Sequence, residues 1–194
     1  MLGVNLADES EPMGSKDASK YRAMTARFHY LPQAIFDIQH AGKEASRRMS
    51  KPCQRDWQLM ERIGHYLLGT PRFVQLFEWQ SMPSTVDAFT NSDWTGCNMT
   101  CLSMRGGVIK WGRHWLKNWS STQATIALSS AEAELFAVTQ GAAEALGMMT
   151  LIADFGISLD ATVHTDAGTA IGIVRRTGLA KLRRLNVRYL CFQE

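Results

Sequence analysis

ALSSAEAELFA (residues 127–137) sets a serine pair ahead of two glutamates one residue apart, and then turns apolar. Ser129 has the position and chemistry of a helix N-cap, since its hydroxyl oxygen can accept one of the first unpaired backbone N–H groups. Glu132 stands three residues later, where a capping-box carboxylate reaches back to the backbone N–H of the cap. Glu134 has neither task. Its first-turn position suits an anion against the helix macrodipole, so it reads either as a helix-start charge or as a ligand. The helix is predicted over 130–153, with Leu135, Val138, Ala142, Leu146 and Met149 as its apolar stripe.

Strand signals flank this helix. VDAFTNSD (86–93) mixes β-branched and aromatic residues, and TCLSMRGGVIKWGRHWLKNWS (100–120) reads as further strands with a turn around Gly106 and Gly107. ATVHTDA (161–167) is a short strand, and AGTAIGIVRR opens another helix. Strands followed by helix, strand and helix predict a mixed α/β domain over 86–194. Upstream the texture is helical: Trp57, Met60, Ile63 and Leu67 recur at spacings of three and four, and Gly69 stands where a C-terminal cap would end that helix. AGKEASRRMSK before it reads as a helix with a basic face. The expected organisation is a polar, disordered tail over 1–18, a helical region over 19–80, a linker at 81–85 (SMPST) and the α/β domain.

Composition narrows the class without naming a function. With 45% apolar and 20% charged residues, the 194-residue chain has the profile of a soluble globular protein, and its net charge of +3 identifies no partner. Cys53, Cys97, Cys101 and Cys191 have no framework or zinc-site spacing, so incidental thiols are expected. No apolar run approaches the ~20 residues that span a bilayer, and MLGVNLADESEP lacks a signal peptide's basic and apolar regions. The expected setting is intracellular and reduced, with no membrane partner.

Two aspartates end strands, Asp93 in NSDWTG and Asp166 in VHTDAG. Either alone reads as a turn former. Together with Glu134 they can meet at one sheet edge, where three carboxylates repel unless a cation neutralises them. Oxygen ligands without His or Cys suit Mg²⁺ or Mn²⁺, and a pair of such ions can activate water against a phosphodiester. Residues 167–193 contain no acid but carry Arg175, Arg176, Lys181, Arg183, Arg184 and Arg188, either a solvated helix face or a phosphate-contacting rim. Ser120, Ser121, Thr122 and Gln123 read as neutral donors or as turn chemistry. Trp94, Trp111, Trp115 and Trp119 read as core or sheet-face residues, and His114 and His164 as surface or strand residues.

TNSDWTG, KNWSSTQATIALSSAEAELFA, VHTDAGTAIGI and GLAKLRRLNVRY, in this order, resemble the ribonuclease H domain of copia-type retrotransposon polyproteins. ASKYRAMTARFHYL, KEASRRMSKP and DWQLMERIGHYLLGTPR resemble the end of that family's reverse transcriptase and the connection after it. The resemblance implies a ribonuclease H-like fold and Mg²⁺-dependent hydrolysis of the RNA strand of an RNA–DNA hybrid. By motif it makes Asp93, Glu134 and Asp166 the ion-holding catalytic carboxylates. Partners would be the hybrid and the rest of a reverse transcriptase polyprotein.

The sequence also departs from the family. Related domains continue past 181–194 into one more strand and a last helix bearing a fourth carboxylate, whereas this sequence stops at CFQE. Asn186 stands where relatives commonly have aspartate. The expectation is therefore a C-terminally truncated fold, with an inactive nucleic-acid-binding remnant as the alternative to a nuclease. The polymerase's paired-aspartate motif is absent, so DNA synthesis is not expected. An integrase-like nuclease shares the fold and a carboxylate triad, but the AEAEL helix between the two aspartates argues against it.

Overall fold

A computed structural model describes residues 11–31, 35–97 and 100–174. They fall in two compact units, Met1–Leu76 and Phe77–Glu194. In the first unit, helices α1 (Ser15–Phe28), α2 (Gln39–Arg47) and α3 (Gln54–Gly69) enclose a core of Met13, Ala18, Tyr21, Ala45, Met60 and Ile63. Met60 and Ile63 come from the three-residue periodicity of α3. Its N-terminus is closed by Asp56, whose Oδ2 accepts the Cys53 N–H at 2.8 Å. The fully buried Tyr21 hydroxyl donates to Ala45 O at 2.8 Å, so its polar end is satisfied inside the core.

Residues 1–10 of the expected tail lie outside the described residues, but 11–18 are ordered. Pro12 bridges to Cys53, Met13 N–H donates to Pro52 O at 3.0 Å, and Met13 and Ala18 are buried. The cause is apolar: Met13 and Ala18 supply core contacts that the polar flanks conceal.

The second unit is built on a four-stranded sheet of β1 (Thr85–Asp93), β2 (Met104–Trp111), β3 (His114–Thr122) and β4 (Asp160–His164), in the order β3-β2-β1-β4. β1, β2 and β3 pair antiparallel in sequence. The chain then crosses through α4 (Ser130–Ala153) to β4, which pairs parallel to β1, and continues into α5 (Gly168–Val174). This mixed sheet with its helices is consistent with a ribonuclease H-like fold. The unit begins ahead of the expected linker, because residues before β1 are bonded to the β2–β3 hairpin. Gln80 Nε2 donates to Trp111 O at 2.9 Å, Gln80 Oε1 accepts the Arg113 N–H at 2.9 Å, and Trp111 Nε1 donates to Pro83 O at 3.0 Å.

The expected turn at Gly106 and Gly107 is not there. Both glycines lie within β2, and the chain turns after Trp111, where Gly112 takes a φ of +59°. Gly107 is small for a packing reason. A Cβ there would fall 2.2 Å from Trp119 Cζ2 and 2.6 Å from Phe89 O, so the indole of β3 occupies the space a side chain would need.

α4 spans the predicted residues; of its predicted stripe Leu135 is buried, Val138, Ala142 and Met149 are partly buried and Leu146 is exposed. Ala133, Ala137, Gly141 and Ala145 recur every four residues and let the helix lie close on the sheet, while Leu146 is 54% exposed. A Cβ at Gly141 would stand 2.1 Å from Thr90 Cγ2, which measures how close that approach is. Leu135, Val138 and Ala142 instead line a groove shared with Val163 of β4 and Ile171 of α5. Two apolar stripes make α4 long and apolar enough, by length and composition, to cross a membrane, contrary to the expectation that no segment would be. Here it covers the core of Val86, Ala88, Ile109, Trp119, Ala145 and Ile152.

Candidate functional site

Alternation along β1 divides its side chains between two faces. Val86, Ala88 and Thr90 are buried, and Gly141 of α4 packs on Thr90, so this face meets the helix. Asp87, Phe89, Asn91 and Asp93 take the other face. There His164 Nε2 lies 2.8 Å from Asp87 Oδ1, and its ring stacks on Phe89 with centroids 4.5 Å apart. These partners give His164 the strand-surface role read from the sequence.

The start of α4 is fixed by its own sequence. Ser129 Oγ accepts the Glu132 N–H at 3.2 Å, as an N-cap should. Glu132 Oε2 accepts at 2.7 Å from the N–H of Leu128, one residue before the cap rather than the cap itself. Gln123, 2% exposed, anchors the same end from inside by donating Nε2 to Ala133 O at 2.8 Å. That structural role was hidden in the sequence by the neighbouring hydroxyl residues.

Glu134 is thereby aimed at the end of β1. Its Oε1 accepts the Ser92 N–H at 3.3 Å, while its Oε2 and the Ser92 hydroxyl oxygen are both buried with no hydrogen-bond partner. Such buried atoms are costly to leave unpaired. Asp93 is turned elsewhere. Its carbonyl accepts the Gly96 N–H at 3.2 Å, and a Cβ at Gly96 would lie 2.3 Å from Asp93 Oδ2, so the carboxylate covers its own turn. Asp166 follows β4 in the short connection to α5, where Ala167 N–H donates to Thr165 Oγ1 at 3.2 Å.

Among the described residues, no three His, Cys, Asp or Glu side chains gather into a group that could hold a metal ion. Asp93, Glu134 and Asp166 are all described and do not form such a group. Arg175, Arg176, Lys181, Arg183, Arg184, Arg188 and Asn186 lie outside the described residues. Of the tryptophans, Trp119 is core and Trp111 packs against it. Trp94 donates Nε1 to Ala127 O at 3.0 Å yet remains 46% exposed, and Trp115 is 44% exposed.

No family model matches the chain, and no solved structure gives a significant match. Sequence similarity does connect it to known proteins. It is 27% and 29% identical over 143 residues to the retrovirus-related Pol polyproteins from transposons RE2 and RE1 of Arabidopsis thaliana. Each alignment covers 74% of this chain and 10% of the polyprotein, so the chain spans about a tenth of the length of these relatives. It is also 32% identical over 128 residues to an uncharacterized mitochondrial protein of Arabidopsis thaliana, covering 66% of this chain and 53% of that protein. The resemblance to copia-type Pol polyproteins is borne out by these similarities, which point to a retroelement polyprotein origin.

Proposed function

We propose that the unit beginning at Phe77 is a ribonuclease H-type domain of a retroelement Pol polyprotein that engages RNA–DNA hybrids. One observation carries the reading: Glu134, in the second turn of the crossover helix, reaches the end of β1 beside its parallel partner β4 and keeps a buried carboxylate oxygen unpaired. The basic residues Arg175, Arg176, Lys181, Arg183, Arg184 and Arg188 supply phosphate contacts that position a duplex without reading its sequence. Preference for hybrid over DNA duplex rests on the 2′-hydroxyls of the RNA strand.

Hydrolysis of the RNA strand with Mg²⁺ is the activity the resemblance implies. The three acids do not form an ion-holding group, so no hydrolytic step is derived from them. The reading favoured for this chain is binding of the hybrid without turnover. Fluorescence anisotropy of the full chain with labelled hybrid, DNA duplex and RNA duplex of one sequence tests the recognition. Tightest binding to the hybrid is expected, and equal affinity for the hybrid and the DNA duplex would reject the proposal.

A further inference from the structure

We propose that Cys97 and Cys101 form a reversible disulfide when exposed to a small-molecule disulfide such as oxidised glutathione, and that the bridge fastens the connection from β1 to β2. The proposal is independent of the reading of the unit as ribonuclease H-type.

Three observations carry it. First, the backbone already holds the two cysteines together. Cys101 N–H donates to Cys97 O at 2.8 Å, and Cys97 N–H donates to Leu102 O at 3.1 Å. An i→i+4 turn keeps its end Cα atoms about 6 Å apart, inside the range of roughly 4.4–6.8 Å that a disulfide spans. Second, the Cys97 sulfur is held on the side of the connection where Cys101 stands. Thr100, covalently joined to Cys101, donates its hydroxyl to Cys97 Sγ at 2.8 Å and its N–H to the same atom at 3.4 Å. Third, the two thiols differ in access. Cys97 is 3% exposed, whereas Cys101 is exposed and takes a left-handed φ of +54°. A soluble oxidant therefore meets Cys101 first, and Cys97 is the thiol placed to resolve the product.

The chemistry is thiol–disulfide exchange in two steps. The Cys101 thiol gives up its proton and attacks one sulfur of the glutathione disulfide, which forms a mixed disulfide and releases one glutathione that takes up a proton. The Cys97 thiol then gives up its proton and attacks Cys101 Sγ, releasing the second glutathione. Two protein thiols are oxidised while one glutathione disulfide is reduced to two thiols. The bridge closes beside the turn that holds Asp93: Gly96, next to Cys97, donates its N–H to Asp93 O at 3.2 Å and lies against the Asp93 carboxylate. Thr95 N–H donates to Ser103 Oγ at 3.3 Å across the same connection.

The test equilibrates the full chain in glutathione buffers of rising oxidised fraction, then alkylates it with N-ethylmaleimide in denaturant and digests it with trypsin. The tryptic peptide 73–105 contains Cys97 and Cys101 and no other cysteine. The expected product is this peptide unalkylated and lighter by a pair of hydrogens, and dithiothreitol should return it to the doubly alkylated form. Cys101→Ser, a substitution at an exposed position, should abolish the product. In the oxidised chain, exchange of the Gly96 and Cys97 amide hydrogens should slow by about tenfold or more. The proposal is overturned if both thiols stay alkylatable across the series, if Cys101 stops at the mixed disulfide, if either cysteine pairs with Cys53 or Cys191, or if the two amides exchange equally fast in both states.

Discussion

Ser92 donates its backbone N–H to Glu134 Oε1 at 3.3 Å, a contact that joins the end of β1 to the second turn of α4 across 42 residues of chain. It satisfies one carboxylate oxygen and leaves the other buried without a partner. Glu134→Gln retains an acceptor for Ser92 while removing a desolvated charge. The variant should therefore be as stable as the parent or more so, by up to about 1 kcal/mol, which is roughly 2–4 °C in a chain of this size. Thermal denaturation checks this, and a loss of several degrees would mean that the carboxylate is needed for the fold.

The contact between Gly141 and Thr90 sets how closely α4 lies on the sheet. Gly141→Ala drives a methyl group into Thr90 Cγ2 and should cost about 1–3 kcal/mol in urea denaturation. Thr90→Ser removes that methyl group while keeping the hydroxyl that donates to His164 O. The double variant should then be more stable than the sum of the single effects, and strict additivity would place the clash elsewhere.

Tyr21 gives the helical unit a dependence on alkaline pH. Burial, reinforced by the nearby charge of Asp56, pushes the phenol up to about 12 from 10.0. The folded form holds its proton more tightly than the unfolded form. The stabilisation is complete below pH 10 and is lost as pH rises towards 12, by roughly 2–3 kcal/mol in total. Helical ellipticity followed against urea at a series of pH values should reveal this fall, and Tyr21→Phe should flatten it.

Phosphate contacts predict the salt dependence of hybrid binding. The logarithm of affinity should fall linearly with the logarithm of salt concentration, with a slope of about −0.9 for each cation engaged. Replacing Arg183, Arg184 and Arg188 with alanine should lower the magnitude of that slope by roughly 2–3 if all three take part. An unchanged slope would mean that these arginines do not contact the phosphates.

What was legible in the sequence was whatever a local signal could state. The cap at Ser129 and the extent of α4 follow from hydrogen-bonding chemistry within a few residues, while Glu132 reaches one residue further back than the capping box implies, to Leu128. The paired glycines 106 and 107 misled because a turn and a close approach both call for glycine, and only the position of Trp119 distinguishes them. The α4 stripe was legible in part: Leu135 is buried as expected, but the close approach to the sheet is made by Ala133, Ala137, Gly141 and Ala145, small residues that draw no attention in the sequence. The acids show the same limit. Asp93 stands out by its charge, but whether it meets Glu134 and Asp166 depends on how the strands and helix pack, a tertiary quantity. Gln123 likewise gives no sign in the sequence of the backbone it holds.

The central claim is that this chain holds an RNA–DNA hybrid without hydrolysing it, and an end-labelled hybrid incubated with excess full chain in Mg²⁺ tests it most directly. The account predicts a shifted complex whose RNA strand remains intact. Cleavage of the RNA strand that disappears in Asp93→Asn would contradict it.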